Sequence, residues 1–362
     1  MNADYVKLLV VTLILFFKLS SVIAVENSVQ NSRFAYTTNL QHGTISIYKI
    51  RQDGRLRFQE VISIGRAPRY IATTETNAYV VDIWKHTISV FSIDQQNGRL
   101  IQRGSSLSAG LSPEAVVIDP SGQFVYVANG DTNDISVYRV INAQGDIQSV
   151  GRYAAGAYPT GIAVDPCLRF AFVPNYSNDT VSIFKINTQS GELENVGFVE
   201  GGENPAAAIV EPSGRFLYVG DGLGNTLSAY RIDPNSGWLT LIARIPNPEY
   251  PYSIAVDYEG EFLYTANYGT DDVSVFRINQ QTGVPSHVET IHAGLGTFSV
   301  MLDAQGKYLY AANVRDSLMN VYSIDEYDGT LMSVDVMEAA PAASAVAVTK
   351  PVFRSPDLVC PN

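Results

Sequence analysis

From about residue 34 onward the chain alternates short runs of β-branched and aromatic residues with clusters of Gly, Pro, Asn and Asp, the pattern of strands separated by tight turns. No segment after residue 25 carries apolar positions at three- and four-residue steps over a useful length, so helices are not expected. One apolar run, Arg169-Phe-Ala-Phe-Val-Pro-Asn175, returns as Phe34 to Asn39, Asn77 to Asp82, Phe124 to Asn129, Phe216 to Asp221, Phe262 to Asn267 and Tyr308 to Asn313. The closing Asn or Asp falls at 39, 82, 129, 175, 221, 267 and 313, so the spacing is 43, 47 and then four times 46. A fixed period in this range marks a repeat fold.

The fourth copy shows what one unit builds. It predicts a first strand over Thr160 to Asp165, a second over Arg169 to Pro174, a third over Thr180 to Ile186 and a fourth over Leu193 to Val199. Sheets this small cannot bury their own faces, and seven of them packed face to face about an axis make an all-β, seven-bladed β-propeller. The second strand is almost continuously apolar because neighbouring blades cover both its faces. Phe34 opens a second-type strand with no first strand before it, whereas Ser344-Ala-Val-Ala-Val-Thr349 is a first-type strand with nothing after it. The two ends are expected to share one blade and so remove an open sheet edge. The division is then 1–24 signal peptide, 25–33 lead, 34–349 propeller and 350–362 tail.

The N-terminus supports that division. Lys7, the apolar run Leu8 to Phe17, Lys18 and the small residues up to Ala24 have the layout of a cleaved secretory signal. The run is far short of the roughly 20 residues that span a bilayer, so a secreted or periplasmic protein without a transmembrane anchor is expected. Cleavage removes Asp4, Lys7 and Lys18 and moves the formal charge from −12 to −13. A surface this acidic repels phosphate backbones and argues against nucleic acid as a partner.

The repeated Tyr126-Val-Ala-Asn129, Ser136-Val-Tyr138 and Asp119-Pro-Ser-Gly122 elements resemble those of the seven-bladed lactonase-like propellers. That group holds the propeller-type 6-phosphogluconolactonases, the carboxy-cis,cis-muconate cyclases and many YVTN-repeat proteins. The resemblance covers residues 34 to 349. It implies a site at the mouth of the central channel, where His, Arg and Glu meet in the catalytic members, some of which carry Pro-His at the start of an innermost strand. The corresponding positions here are Arg69, Glu114, Thr160, Ala206, Tyr252, Phe298 and Ser344, with no histidine among them.

Fold motifs repeat in every blade, so candidate chemistry lies where the copies disagree. The loops before first strands and after second strands share one face, and on it blades 1 to 3 gather Arg66, Arg69, Glu114, His42, Trp84 and His86. One reading makes Arg69 the holder of a carboxylate or developing oxyanion, with Glu114 or His86 as base towards water. The other makes Arg69 and Glu114 an ion pair and leaves His42 and His86 as solvated loop residues. Across the mouth, Tyr158, Tyr176, Tyr250, Tyr252, Tyr268 and Phe298 form an aromatic sector, so that Arg66, His42, Trp84, Tyr252 and Phe298 are candidate substrate contacts. The expected function is an exported lactonase-like hydrolase of a sugar or aromatic-acid lactone; the alternative is a non-catalytic propeller that binds a carbohydrate, another ligand or a protein on this face. No cofactor or metal is expected, and the protein is expected to be a monomer. The Asn or Asp closing every second strand is read as structural, bonding its own backbone. Cys167 replaces Ser in the first turn of blade 4, on the face where the chain leaves Thr349, and the tail to Cys360 reaches about 35 Å at ~3.3 Å per residue. A Cys167–Cys360 disulfide would draw the tail across the channel.

Overall fold

The computed structural model describes residues 34–339 and 342–349, and every regular element within them is a strand. Seven four-stranded antiparallel sheets form the blades of one propeller. Blade 2 shows the plan, running through Pro68–Thr73, Asn77–Asp82, Thr87–Ile93 and Leu100–Ser108 from the inside outwards. Blade 1 takes its innermost strand from the far end of the chain. Ala343–Val348 pairs antiparallel with Phe34–Asn39, as the unmatched strands at the two ends predict.

Each hydrophobic core lies between two blades. Tyr79, Val81, Ile88 and Val90 of blade 2, for example, meet Val116, Val125, Val127 and Tyr138 of blade 3. Hydroxyls fasten the same contacts. The tyrosine of the repeated second strand donates to a turn carbonyl of the next blade: Tyr36 to Gly98, Tyr79 to Gly145, Tyr218 to Gly283, Tyr264 to Gly329 and, across the ring closure, Tyr310 to Gly54 at 3.0 Å. Five of the six repeat tyrosines make this inter-blade bond; the hydroxyl of Tyr126 has no partner among the described residues.

Two expectations need correction. The first strand of blade 4 is only Ala163–Val164, because Pro174 on its partner strand has no N–H to give the ladder opposite Gly161. The closing Asn and Asp side chains mostly bond sideways rather than to their own backbone. Asn129 donates to Asp134 and Ser136 on the third strand and accepts the N–H of Gly110 from the loop before its blade, and Asn175 repeats this with Thr180, Ser182 and Gly156.

Cys167 is buried in its turn, and no free cysteine occurs among the described residues. Cys360, the signal segment and the rest of the tail lie outside the described residues.

Candidate functional site at the loop-face mouth

In six of the blades the pairing of first and second strand slips by one residue at the start of the first strand. The extra residues at these slips include Arg69, Glu114, Ala206, Tyr252 and Phe298. A bulge of this kind bends the strand and re-aims a side chain. The mouth is thus built from bulged positions, and these are the positions at which the copies differ.

Arg69 and Glu114, on adjacent blades, are paired, Arg69 Nε donating to Glu114 Oε2 at 2.9 Å. Arg69 Nη2 reaches across the mouth to the hydroxyl of Tyr252 at 2.8 Å, and its guanidinium lies 4.8 Å from the ring centre of Phe298. The other carboxylate oxygen, Oε1, accepts from Ser112 Oγ at 3.1 Å and from the Tyr158 hydroxyl at 2.9 Å. Little of this is wet: the Arg69 side chain is 15% exposed and that of Glu114 7%.

Burial disfavours each charged form, and the contacts decide the outcome. Burial alone would lower the Arg69 pKa, but Tyr252 and Glu114 outweigh it and push the value up, so the guanidinium stays charged. Burial raises the Tyr252 hydroxyl despite Arg69, and burial with Glu114 pushes Tyr158 up to about 12. Both phenols are therefore neutral at physiological pH, Tyr158 donating to Glu114 and Tyr252 accepting from Arg69.

The aromatic sector closes the rest of the mouth. Tyr250 stacks on Tyr252, Tyr252 lies 4.2 Å from Phe298 between ring centres, and Tyr268 meets Phe298 edge-on. The hydroxyls of Tyr176 and Tyr250 hydrogen-bond to each other above blade 5, where the inner residue shrinks to Ala206. A cavity of about 80 Å³ lies between Arg69, Glu114, Tyr252 and Phe298 and apolar residues such as Ala115 and Ile162. Pockets for drug-sized ligands run to about 300 Å³ and more, so a ring-sized ligand does not fit this cavity without movement of the side chains around it.

The remaining candidates lie apart from this cluster. Arg66 stacks over Trp84, which is 62% exposed, and neither touches Arg69. His42 is exposed, and its ring makes no hydrogen bond among the described residues. His86 accepts the backbone N–H of Ser112 at its Nδ1, 3.1 Å away, and so meets Glu114 only through Ser112. Ser112 and the Tyr176–Tyr250 bridge are the parts of the site that sequence reasoning missed. Among the described residues no group of three or more His, Cys, Asp or Glu is placed to hold a metal.

A closed ring of seven four-stranded sheets with a charged and aromatic loop-face mouth defines a seven-bladed propeller. The chain belongs to the family described as lactonase, seven-bladed β-propeller, whose model matches it in overlapping stretches from 27–114 to 252–348. It is 30% identical over 131 residues to a 6-phosphogluconolactonase of Formosa agariphila, a match covering 33% of this chain and 37% of that protein. A second 6-phosphogluconolactonase, from Erwinia tasmaniensis, is 26% identical over 132 residues, or 34% of this chain and 40% of that one. The matched segments thus span about two fifths of these relatives. Among solved structures, the periplasmic gluconolactonase of Pseudomonas aeruginosa superposes with a TM-score of 0.77 at 17% identity, covering 87% of this chain and 98% of that one. A Bacteroides uniformis structure provisionally described as a 6-phosphogluconolactonase gives 0.79 at 20% identity, covering 88% and 100%. At such identities the structural likeness shows the fold.

Proposed function

We propose that this protein is an exported lactone hydrolase that opens a small sugar or aromatic-acid lactone at the loop-face mouth. The observation that carries the proposal is the bulged trio Arg69, Glu114 and Tyr252, which sets a guanidinium, a carboxylate and a neutral phenol around one point. The lactone carbonyl would lie against Arg69 and Tyr252, whose N–H and O–H groups stabilise the oxyanion formed as water adds to the carbonyl carbon. Glu114 would take the proton from that water. The ring C–O bond then breaks, the proton passes to the leaving alkoxide, and an open-chain hydroxy acid results. Tyr250, Tyr252, Tyr268 and Phe298 supply apolar faces for the ring of the substrate. The signal-like N-terminus supports export.

One observation favours a second reading, binding without turnover: Arg69, Ser112 and Tyr158 already occupy three of the roughly four acceptor positions of the Glu114 carboxylate, which leaves a single Oε2 lone pair for a water. Purified protein assayed against sugar and aromatic lactones, above their spontaneous hydrolysis, separates the two. Turnover that Arg69→Ala and Glu114→Ala each reduce by about 100-fold or more supports the hydrolase. Saturable lactone binding without turnover supports the second reading.

A further inference from the structure

His86 belongs to a column. In six blades the last loop residue before the third strand has a left-handed backbone, with φ 55° at His86, 55° at Asn133, 55° at Asp179, 51° at Asn225, 62° at Asp271 and 61° at Ser317. In each, the side chain accepts the N–H of the residue just before the next first strand or, in blade 4, just before the isolated bridge of Pro159 with Asn175: His86 from Ser112, Asn133 from Tyr158, Asp179 from Asn204, Asn225 from Tyr250, Asp271 from Gly296 and Ser317 from Ala342. These are inter-blade clips that set the start of the next inner strand, where the bulge is. Only the clip feeding Glu114 is an imidazole, the one acceptor in the column whose accepting nitrogen becomes a donor when it binds a proton.

We propose that His86 is a proton-sensitive positioning residue for Glu114. With Nδ1 as acceptor, the ring is the neutral tautomer carrying its hydrogen on Nε2. Protonation places a second donor against the Ser112 N–H, and a clip between two donors cannot hold. Ser112 is buried with φ 54°, and its hydroxyl donates to Glu114 Oε1. Releasing its backbone therefore loosens the carboxylate and, through it, Arg69. The charged residues tied to this loop and to Ser112 are Lys85, next to His86 in the chain, Asp82, which accepts the Lys85 N–H, Arg66 over Trp84, Glu114, which accepts from Ser112, and Asp131, whose N–H bonds the Leu111 carbonyl. The catalytic part of this inference rests on the proposed hydrolase; the clip does not.

The test follows the Ser112 amide in full-length protein labelled with 15N-serine, its signal identified by its loss in Ser112→Ala, from pH 8 to pH 5. Wild type is expected to show one titration in which the amide proton moves upfield as its acceptor is lost. His86→Asn copies the clips of Asn133 and Asn225 and is expected to remove that titration while leaving the melting temperature within a few degrees. His86→Asp, which copies Asp179 and Asp271, provides a second variant should the first fold poorly. If lactone turnover is found, kcat/KM of wild type is expected to fall on the acid side with the same midpoint and that of His86→Asn to stay flat over the range. A flat Ser112 signal in wild type, or the same titration in the variants, overturns the proposal. Absence of turnover alone removes the hydrolase reading and leaves the amide titration to decide the clip.

Discussion

Replacing Glu114 by Leu probes the mouth most sharply, because three groups lose their acceptor at once. Arg69 would keep only Tyr252 and the Phe298 ring face, while the Ser112 and Tyr158 hydroxyls would lose the carboxylate. Removing one partner of a buried pair costs roughly 3–5 kcal/mol. Arg69 is 15% exposed and retains a cation–π contact, so we expect about 2–3 kcal/mol. The reverse change, Arg69→Met, leaves Glu114 with two donors and is expected to cost about 1 kcal/mol. In Arg69→Met/Glu114→Leu no charge is stranded, and the pair is expected to show a coupling of about 1–2 kcal/mol. For a chain of this size 1 kcal/mol corresponds to roughly 2 °C, so the Glu114→Leu melt should fall by about 4–6 °C, read by circular dichroism. Equal losses for the two single variants that simply add in the double would show that Arg69 and Glu114 are not coupled.

Three further outcomes follow from the ring. Deleting residues 342 to 362 removes the inner strand of blade 1 with its buried Val346 and Val348 and should cost at least about 5 kcal/mol in apolar burial and ladder bonds; an unchanged melting temperature contradicts ring closure by that strand. Tyr310→Phe leaves the Gly54 carbonyl without its donor and should cost about 1 kcal/mol in urea unfolding, whereas Tyr126, whose hydroxyl has no partner among the described residues, should tolerate the same change. Burial raises Asp257 to about 6, so the native state holds that proton more tightly than the unfolded chain, and the associated stability is present at low pH and lost as pH rises from about 4 through about 6. Asp257→Asn keeps the acceptor for the Phe262 N–H and should melt no lower than wild type at pH 7; a drop of several degrees there would show the carboxylate to be stabilising.

Much of the fold was legible because it rests on local repetition. The Asn or Asp at 46-residue spacing counted the blades, and the unmatched strands at Phe34 and Ser344 foretold their pairing. The seven inner positions were also readable, Arg69 and Glu114 among them, since they follow a loop proline or its equivalent. Their bulged geometry was not, because a bulge depends on how two strands register and not on either strand alone. The Tyr176–Tyr250 bridge spans 74 residues, and no local pattern announces it. The role of His86 was hidden for a different reason. Beside Trp84 and Lys85 it looks like loop chemistry, yet its column, Asn133, Asp179, Asn225, Asp271 and Ser317, consists of short hydrogen-bond acceptors and carries the signal of a clip. Pro174 was likewise in plain view, and its missing N–H would have predicted the shortened first strand of blade 4.

The central claim is that repeated residues build the ring and the bulged residues that differ between blades do the work. It is tested most directly by lactone turnover of the purified protein beside two substitutions at equivalent inner positions, Arg69→Ala and Ala206→Ser. Wild type is expected to turn lactone over, Arg69→Ala to lose about 100-fold or more and Ala206→Ser to change little. Turnover unaffected by loss of Arg69 would contradict that claim.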